Sequence, residues 1–121
     1  MRDYKKLEVW KKSHELYMYI KQKIAVKFPR DEMFELSSQL RRAALSIPLN
    51  IVEGCGKGTE KDFARFLNNA LGSAHETEYC LFVAYELGYN SQDEYEIANR
   101  LVNDVKAMTI SLLRFLRREQ E

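Results

Sequence analysis

Hydrophobic residues recur along the chain at steps of three and four positions, the spacing that places side chains on one face of an α-helix. This pattern predicts four long helices, near residues 7–28, 31–54, 59–88 and 92–118, and no β-strand. The connections between them are short, so consecutive helices are expected to pack side by side in opposite directions. The predicted fold is all-α: a single domain over residues 1–121, folded as an antiparallel up-down-up-down four-helix bundle.

Residues that start and stop helices support these boundaries. Pro29 should end the first helix, because the residue before a proline is disfavoured in helical conformation. The glycine-rich run at residues 54–58 should end the second helix. Thr59 is expected to cap the third helix, and Ser91 with Glu94 forms the pattern of a capping box for the fourth.

A proline within the second predicted helix indicates a kink. Pro48 has no amide hydrogen to donate, and its ring clashes with the preceding turn. We therefore expect a bend at Pro48, with Ser46 or Asn50 near the carbonyl oxygen of Ala44 that loses its donor.

The apolar stripes of the last two helices predict which side chains form the core. Their members recur at helical spacing and should face the other helices. They are Phe63, Phe66, Leu67, Ala70, Ala74, Leu81, Phe82 and Tyr85 in the third helix, and Ala98, Leu101, Val105, Met108, Leu112 and Phe115 in the fourth.

Glu78 falls within the apolar stripe of the third helix and has two interpretations. A buried carboxylate needs a partner, because an unpaired charge in a medium of low polarity is costly. Alternatively, Glu78 lies at the margin of the stripe and reaches solvent. The candidate partners, all on the second helix, are Arg41, Arg42, Gln39 and Asn50.

Composition excludes several classes of protein. Hydrophobic residues make up 45% of the chain and charged residues 31%, as in an ordinary globular protein. The 19 basic and 18 acidic residues nearly balance, so the basic excess of a dedicated nucleic-acid binder is missing. The N-terminal segment has no apolar run that would suit a signal peptide or a membrane span. We expect a cytoplasmic protein that makes no contact with a membrane.

No catalytic centre, metal site, cofactor or small-molecule substrate is predicted. His14 and His75 lie on different helices, with no third ligand at a matching position. Cys55 and Cys80 lack metal-site spacing and are interpreted as buried free thiols. The glycine-rich run at 54–58 does not match a phosphate loop and follows no strand, so we interpret it as a helix stop before a helix start.

Apolar residues also lie on the outer sides of the second and third helices. Single exposed apolar residues are ordinary, but two patches on adjacent helices favour an interface between copies of the chain. The predicted interface residues are Phe34, Leu45, Leu49, Val52, Tyr79 and Val83.

The fourth helix has a basic outer side with two interpretations. It is either a contact surface for nucleic-acid phosphates or a solvated face, whose cations near the C-terminus suit the helix dipole. The residues concerned are Arg100, Lys106, Arg114, Arg117 and Arg118.

Several sequence motifs resemble a known family. Residues 46–54 read SIPLNIVEG and follow SQLRRAA at 38–44, while LEVW stands at 7–10 and ALGS at 70–73. With these motifs the chain resembles, over nearly its whole length, the four-helix-bundle proteins encoded in intervening sequences of bacterial 23S ribosomal RNA genes.

The resemblance implies a ring-like homopentamer. It also implies a relation to the accessory variability protein of diversity-generating retroelements, a similar bundle that binds nucleic acid and a reverse transcriptase. This chain lacks the strong positive charge of that relative, and no motif marks the residues of its activity.

Two functional hypotheses follow. The first is a non-enzymatic, oligomeric scaffold or interaction protein that contacts itself and other proteins. The alternative is a nucleic-acid-associated accessory protein that binds RNA or DNA through the basic face of the fourth helix, with the weak site of each copy multiplied by the oligomer.

Overall fold

The computed structural model describes residues 2–120, and the side chains of residues 2–118. Four α-helices make up most of this range: α1 (Glu8–Tyr19), α2 (Leu36–Cys55), α3 (Glu60–Glu86) and α4 (Gln92–Gln120). No strand occurs in the part of the chain that is described. The predicted all-α bundle is confirmed, and the bounds of α3 and α4 lie within two residues of those expected.

The end of α1 differs from the prediction of one helix over 7–28. After Tyr19 the chain forms a π-helical turn (Ile20–Ile24) and then a 3₁₀ turn (Ala25–Lys27). Buried positions four residues apart drift around a regular α-helix by about 40° per step. The wider π turn reduces this drift, so that Ile20 and Ile24 both remain fully buried.

The start of α2 was placed five residues too early. A 3₁₀ turn (Arg30–Glu32) follows Pro29, and α2 begins only at Leu36. The backbone of Glu35 has φ −116° and ψ −101°, which lies outside the helical region and separates the turn from the helix. Phe34 is therefore in the connection before α2, not on α2 as predicted.

Pro48 is buried inside α2, which continues through it to Cys55. The side-chain amide of Asn50 donates to the carbonyl oxygen of Ser46 at 2.8 Å and to its Oγ at 3.0 Å. The expected contact with the carbonyl of Ala44 is wrong, because the side chain of Asn50 binds Ser46 and the hydroxyl of Ser46 pairs with Ser73. The bend itself stays a prediction.

The contacts between helices fix their relative directions. Gln39 pairs with Glu76, while further along α2 Ser46 pairs with Ser73, so α2 and α3 run in opposite directions. Glu78 with Lys106 and Tyr85 with Tyr95 show the same order for α3 and α4. These pairs fit the predicted up-down-up-down order.

Small residues let α2 and α3 approach closely. Ala44 of α2 and Ala70 and Ala74 of α3 are fully buried. At Gly54, an added Cβ would lie 2.9 Å from Cβ of Phe66 and 3.0 Å from Cδ1 of Phe63. The hydroxyls of Ser46 and Ser73 are 2.8 Å apart, and either can donate to the other. Close packing of these two helices therefore depends on the absence of bulk.

The core face of α4 is rotated relative to the prediction. Val102 and Thr109 are fully buried, while Leu101 and Met108 are only half-buried and Phe115 is 54% exposed. Thr109 can enter the core because its hydroxyl donates to the carbonyl oxygen of Val105 at 2.7 Å. A pattern that counts only apolar residues misses such a threonine.

The predicted helix caps are confirmed. Oγ1 of Thr59 accepts a hydrogen bond from the amide of Asp62 at 3.1 Å. The amide of Ser91 donates to Oε1 of Glu94 at 3.0 Å, and the amide of Glu94 donates to Oγ of Ser91 at 3.2 Å. This is the reciprocal pattern of a capping box. Gly88 follows α3 with φ +77°, a conformation that glycine adopts without strain.

We expect Glu94→Gln to lower stability in a pH-dependent way. The hydrogen bond from Lys27, followed by that from the amide of Ser91, holds the pKa of Glu94 below its ordinary value. A lowered pKa means that the contribution to the free energy of unfolding is complete above the pKa of the unfolded chain and is lost as pH falls through the folded value. Urea unfolding should therefore show a deficit at neutral pH that shrinks below about pH 4.

A matched control is Glu96→Gln, two positions along the same helix, whose side chain accepts a hydrogen bond from Gln92 only and should lower stability at neutral pH less than Glu94→Gln. A deficit for Glu94→Gln that stays constant from neutral to acidic pH would contradict the role given to its charge.

We expect Gly54→Ala to destabilise the fold by about 1–3 kcal/mol, since the new methyl group would collide with Phe63 and Phe66. Gly72→Ala is the control: it lies on the outer side of α3 with nothing within 4 Å of an added Cβ. In a lone subunit, better helix propensity should there raise stability by about 0.5–1 kcal/mol. Equal effects in urea unfolding would refute the close contact.

Candidate functional site

The outer sides of α2 and α3 expose the apolar residues predicted as an interface. Leu45 and Leu49 project from α2, and Tyr79, with 67% of its surface exposed, projects from α3. Val52 and Val83 are half-buried beside them, and Phe34 is 88% exposed before α2. We name these six residues the outer apolar face. Whether copies bury this face together stays a prediction.

The inner packing explains why this face points outward. In α2, Ile47 and Ile51 are fully buried, which turns Leu45 and Leu49 to the other side of the helix. In α3, Ala74 and Leu81 face the core and leave Tyr79 opposite to them. A helix that is apolar on both sides has one side that its own bundle does not cover.

Phe82 is a surface residue that the sequence analysis placed in the core. It is 45% exposed and lines a groove of about 350 Å³ between α3 and α4, together with Glu78, Tyr79, Tyr95 and Asn99. At 100° per residue, Phe82 lies roughly a quarter turn from Leu81, which takes the core position. Counting the angle from Leu81 would have identified this exposure.

Glu78 and Lys106 form an ion pair that corrects two expectations. Nζ of Lys106 donates to Oε1 of Glu78 at 2.8 Å, with 16% of the lysine side chain and 32% of the glutamate side chain exposed. The partner of Glu78 is therefore on α4, and none of the candidates on α2 was correct. Ser73 occupies the flank of α3 that faces α2, and Glu78 lies on the opposite flank.

The basic side of α4 is smaller than predicted, because Lys106 is committed to Glu78. Arg100, Arg114, Arg117 and Arg118 are exposed. Arg100 and Arg114 are fourteen positions apart, which is about 21 Å along a helix. The remaining basic cluster is thus the group of three arginines near the end of α4.

A second apolar groove lies between the beginning of α1 and the end of α4. Its volume is about 580 Å³, and its walls include Leu7, Val9, Met108, Leu112 and Phe115. Glu8 and Ser111 are its polar members, so no cluster of titratable groups converges there. The groove offers apolar contact and no arrangement for acid–base chemistry.

Cys55 and Cys80 are buried thiols without a disulfide bond. Burial raises the pKa of both, so the neutral thiol is favoured over the reactive thiolate. Within residues 2–118, no group of three or more His, Cys, Asp or Glu side chains is close enough to hold a metal ion. No helix in the described range is long and apolar enough to cross a membrane.

Comparison with protein families gives the chain a relationship that matches its architecture. The model of the 23S rRNA-intervening sequence protein family matches residues 5–111. The chain belongs to this family. No relative is found among the curated proteins.

A solved structure supports the same relationship. It is a protein of unknown function from the S23 ribosomal protein family of Bacteroides thetaiotaomicron VPI-5482. The two chains are 30% identical, with a TM-score of 0.80 over 87% of this chain and 97% of the other. The relation to the retroelement accessory protein stays an expectation from the resemblance.

Proposed function

We propose that this member of the 23S rRNA-intervening sequence protein family is a non-enzymatic, oligomeric scaffold or interaction protein. The observation that supports the proposal is the outer apolar face. Its residues are on α2, on α3 and just before α2, and they include Tyr79, which is 67% exposed. Exposed apolar side chains grouped on neighbouring helices are a feature of protein interaction sites.

The number of residues in the face suits an interface. Fully burying one large apolar side chain stabilises by about 1.5–3 kcal/mol. Association costs about 4–15 kcal/mol in lost freedom of movement. Several side chains must therefore be buried together, and the outer apolar face supplies six.

The proposed assembly is the homopentamer that the family resemblance implies. A ring uses a heterologous contact, in which different surfaces of neighbouring copies meet and the rotation closes. The outer apolar face would form one side of that contact. Two buried free thiols suit a reducing compartment, so the proposal places the assembly in the cytoplasm.

We expect Leu49→Glu, and separately Val83→Glu, to dissociate the assembly and to leave helical content unchanged. A charge placed in an apolar interface must be buried without a partner, whereas in the lone subunit these positions reach solvent. Light scattering measures the mass of the particle, and circular dichroism measures the helical content.

The matched control for this pair is Ile97→Glu, because Ile97 is 42% exposed on α4, outside the outer apolar face. It should keep the mass of the wild type. A wild-type chain that is monomeric at micromolar concentration would refute the proposal, as would dissociation by Ile97→Glu alone.

The alternative function, nucleic-acid binding through α4, rests on the exposed arginines near its C-terminus. Within residues 2–118, Arg114, Arg117 and Arg118 have no ion-pair partner. Cations without partners can neutralise phosphates and release counterions, which gives binding that depends on salt and little on sequence.

We expect that if α4 binds RNA, changing Arg114, Arg117 and Arg118 together to Gln should weaken binding and flatten its salt dependence. For single strands the slope of log K against log salt should fall by about 2 for three lost phosphate contacts. An electrophoretic shift titration at low and moderate salt measures this. No shift of the wild-type protein at low salt would mean that the arginines are only a solvated face.

A further inference from the structure

A groove lies where the irregular end of the first helix meets the start of α2. Its volume is about 350 Å³, and it is lined by the π turn, the two 3₁₀ turns and the first part of α2. Three cationic side chains, Lys21, Arg30 and Arg41, line it, and the walls include Val26 and Met33. We name it the corner groove.

The charge of the corner groove is uncompensated. No carboxylate is among its lining residues, and none of its three cations forms an ion pair within residues 2–118. Arg41 is held in place by a hydrogen bond from its Nε to the carbonyl oxygen of Ser37 at 3.2 Å. Its terminal nitrogens remain available for an anion from outside.

The acidic residues of the same segment are directed elsewhere or lie outside the lining. Glu32 accepts a hydrogen bond from the hydroxyl of Tyr89 at 2.7 Å, on the side of the connection between α3 and α4. Asp31 is exposed and is not among the lining residues of the groove. Glu35 is exposed and is not part of the groove. The positive charge of the groove is therefore local, although the chain as a whole is almost neutral.

The apolar walls are unusually open to solvent. Val26 is 67% exposed and Met33 is 47% exposed. Methionine adapts to differently shaped partners and is common at surfaces that bind peptides. A π-helical turn, which here contributes Lys21, is also frequent at functional sites.

We infer that the corner groove docks an acidic, hydrophobic peptide segment of a partner protein, whose carboxylates pair with Lys21, Arg30 and Arg41. The apolar side chains of the segment would cover Val26 and Met33. The inference rests on the proposed function as an interaction protein and adds the chemistry of the partner, and it does not depend on the number of copies in the assembly.

The walls favour a peptide over single-stranded nucleic acid. Single strands bind on exposed aromatic rings on which the bases stack. The one aromatic residue that lines the corner groove, Phe28, already packs against Tyr89 with ring centroids 5.2 Å apart. The other apolar walls are aliphatic or sulfur-containing, which suits leucine or phenylalanine side chains of a peptide.

The test uses a short fluorescein-labelled peptide that alternates glutamate with leucine and phenylalanine, and follows its anisotropy with the full-length protein. Lys21→Gln with Arg30→Gln should weaken binding roughly tenfold and remove most of its salt dependence. Met33→Ser should weaken binding and leave the salt dependence unchanged, because it removes apolar contact only. Arg114→Gln with Arg117→Gln removes the same amount of charge from α4. It should change neither the affinity for the peptide nor the salt dependence of binding.

Three probes decide the outcome: the mixed peptide, a peptide of glutamate alone and a short single-stranded RNA. Light scattering of the Lys21 and Arg30 variant is the further measurement. The inference is overturned if the peptide fails to bind, or if a peptide of glutamate alone binds equally well. It is also overturned if a short single-stranded RNA binds more tightly and loses its affinity in the same Lys21 and Arg30 variant. Light scattering of that variant must give the wild-type mass, since a change in mass would mean that the groove holds a second copy of the chain.

Discussion

The close approach of α2 and α3 is the constraint on which the rest of the bundle depends. Gly54 leaves no room for a Cβ beside Phe63 and Phe66, and the serines at 46 and 73 touch across the contact. The inner faces of α2 and α3 also carry large buried side chains, among them Ile47, Phe63 and Leu81, and further apolar residues lie on the outer faces of both helices. The buried residues thus fix which side of each helix faces outward, and the proposed self-association uses that outward side.

The SIPLNIVEG segment, which carries the family resemblance, has a structural explanation in this contact. Asn50 holds the turn that starts at Ser46, and Pro48 is buried within α2. Gly54 leaves room for Phe63 and Phe66 of α3. None of these residues belongs to a cluster of groups arranged for acid–base chemistry. The motif therefore specifies how two helices pack, and it does not by itself indicate an activity.

Much of the fold could be predicted from the sequence, because long helices with clear caps leave a periodic pattern. The errors fall where that pattern is interrupted or incomplete. The π turn after Tyr19 and the late start of α2 depend on backbone geometry that apolar spacing does not encode. Thr109 in the core and the pairing of Lys106 with Glu78 depend on hydrogen bonds that satisfy buried polar groups.

The irregular turns between α1 and α2 also create the corner groove, a surface that the sequence analysis did not predict. Lys21, Arg30 and Arg41 are separated in sequence and meet only because two short turns replace regular helix between them. The outward direction of Leu45, Leu49 and Tyr79, in contrast, could be predicted because α2 and α3 are regular there, whereas the place of Phe34 before α2 could not. The two surfaces adjoin, because Met33 of the corner groove precedes Phe34 of the outer apolar face and Arg41 lies one turn before Leu45.

Hydroxyl-radical footprinting tests the central claim, that the outer faces of α2 and α3 meet other copies of the chain. The oxidation rates of Tyr79 and Phe115, both well exposed in the lone subunit, are compared in dilute and in concentrated protein. The account predicts that Tyr79 is oxidised more slowly when the protein is concentrated, while Phe115 is oxidised at an unchanged rate. An unchanged rate for Tyr79, or protection of Phe115 in its place, would contradict it.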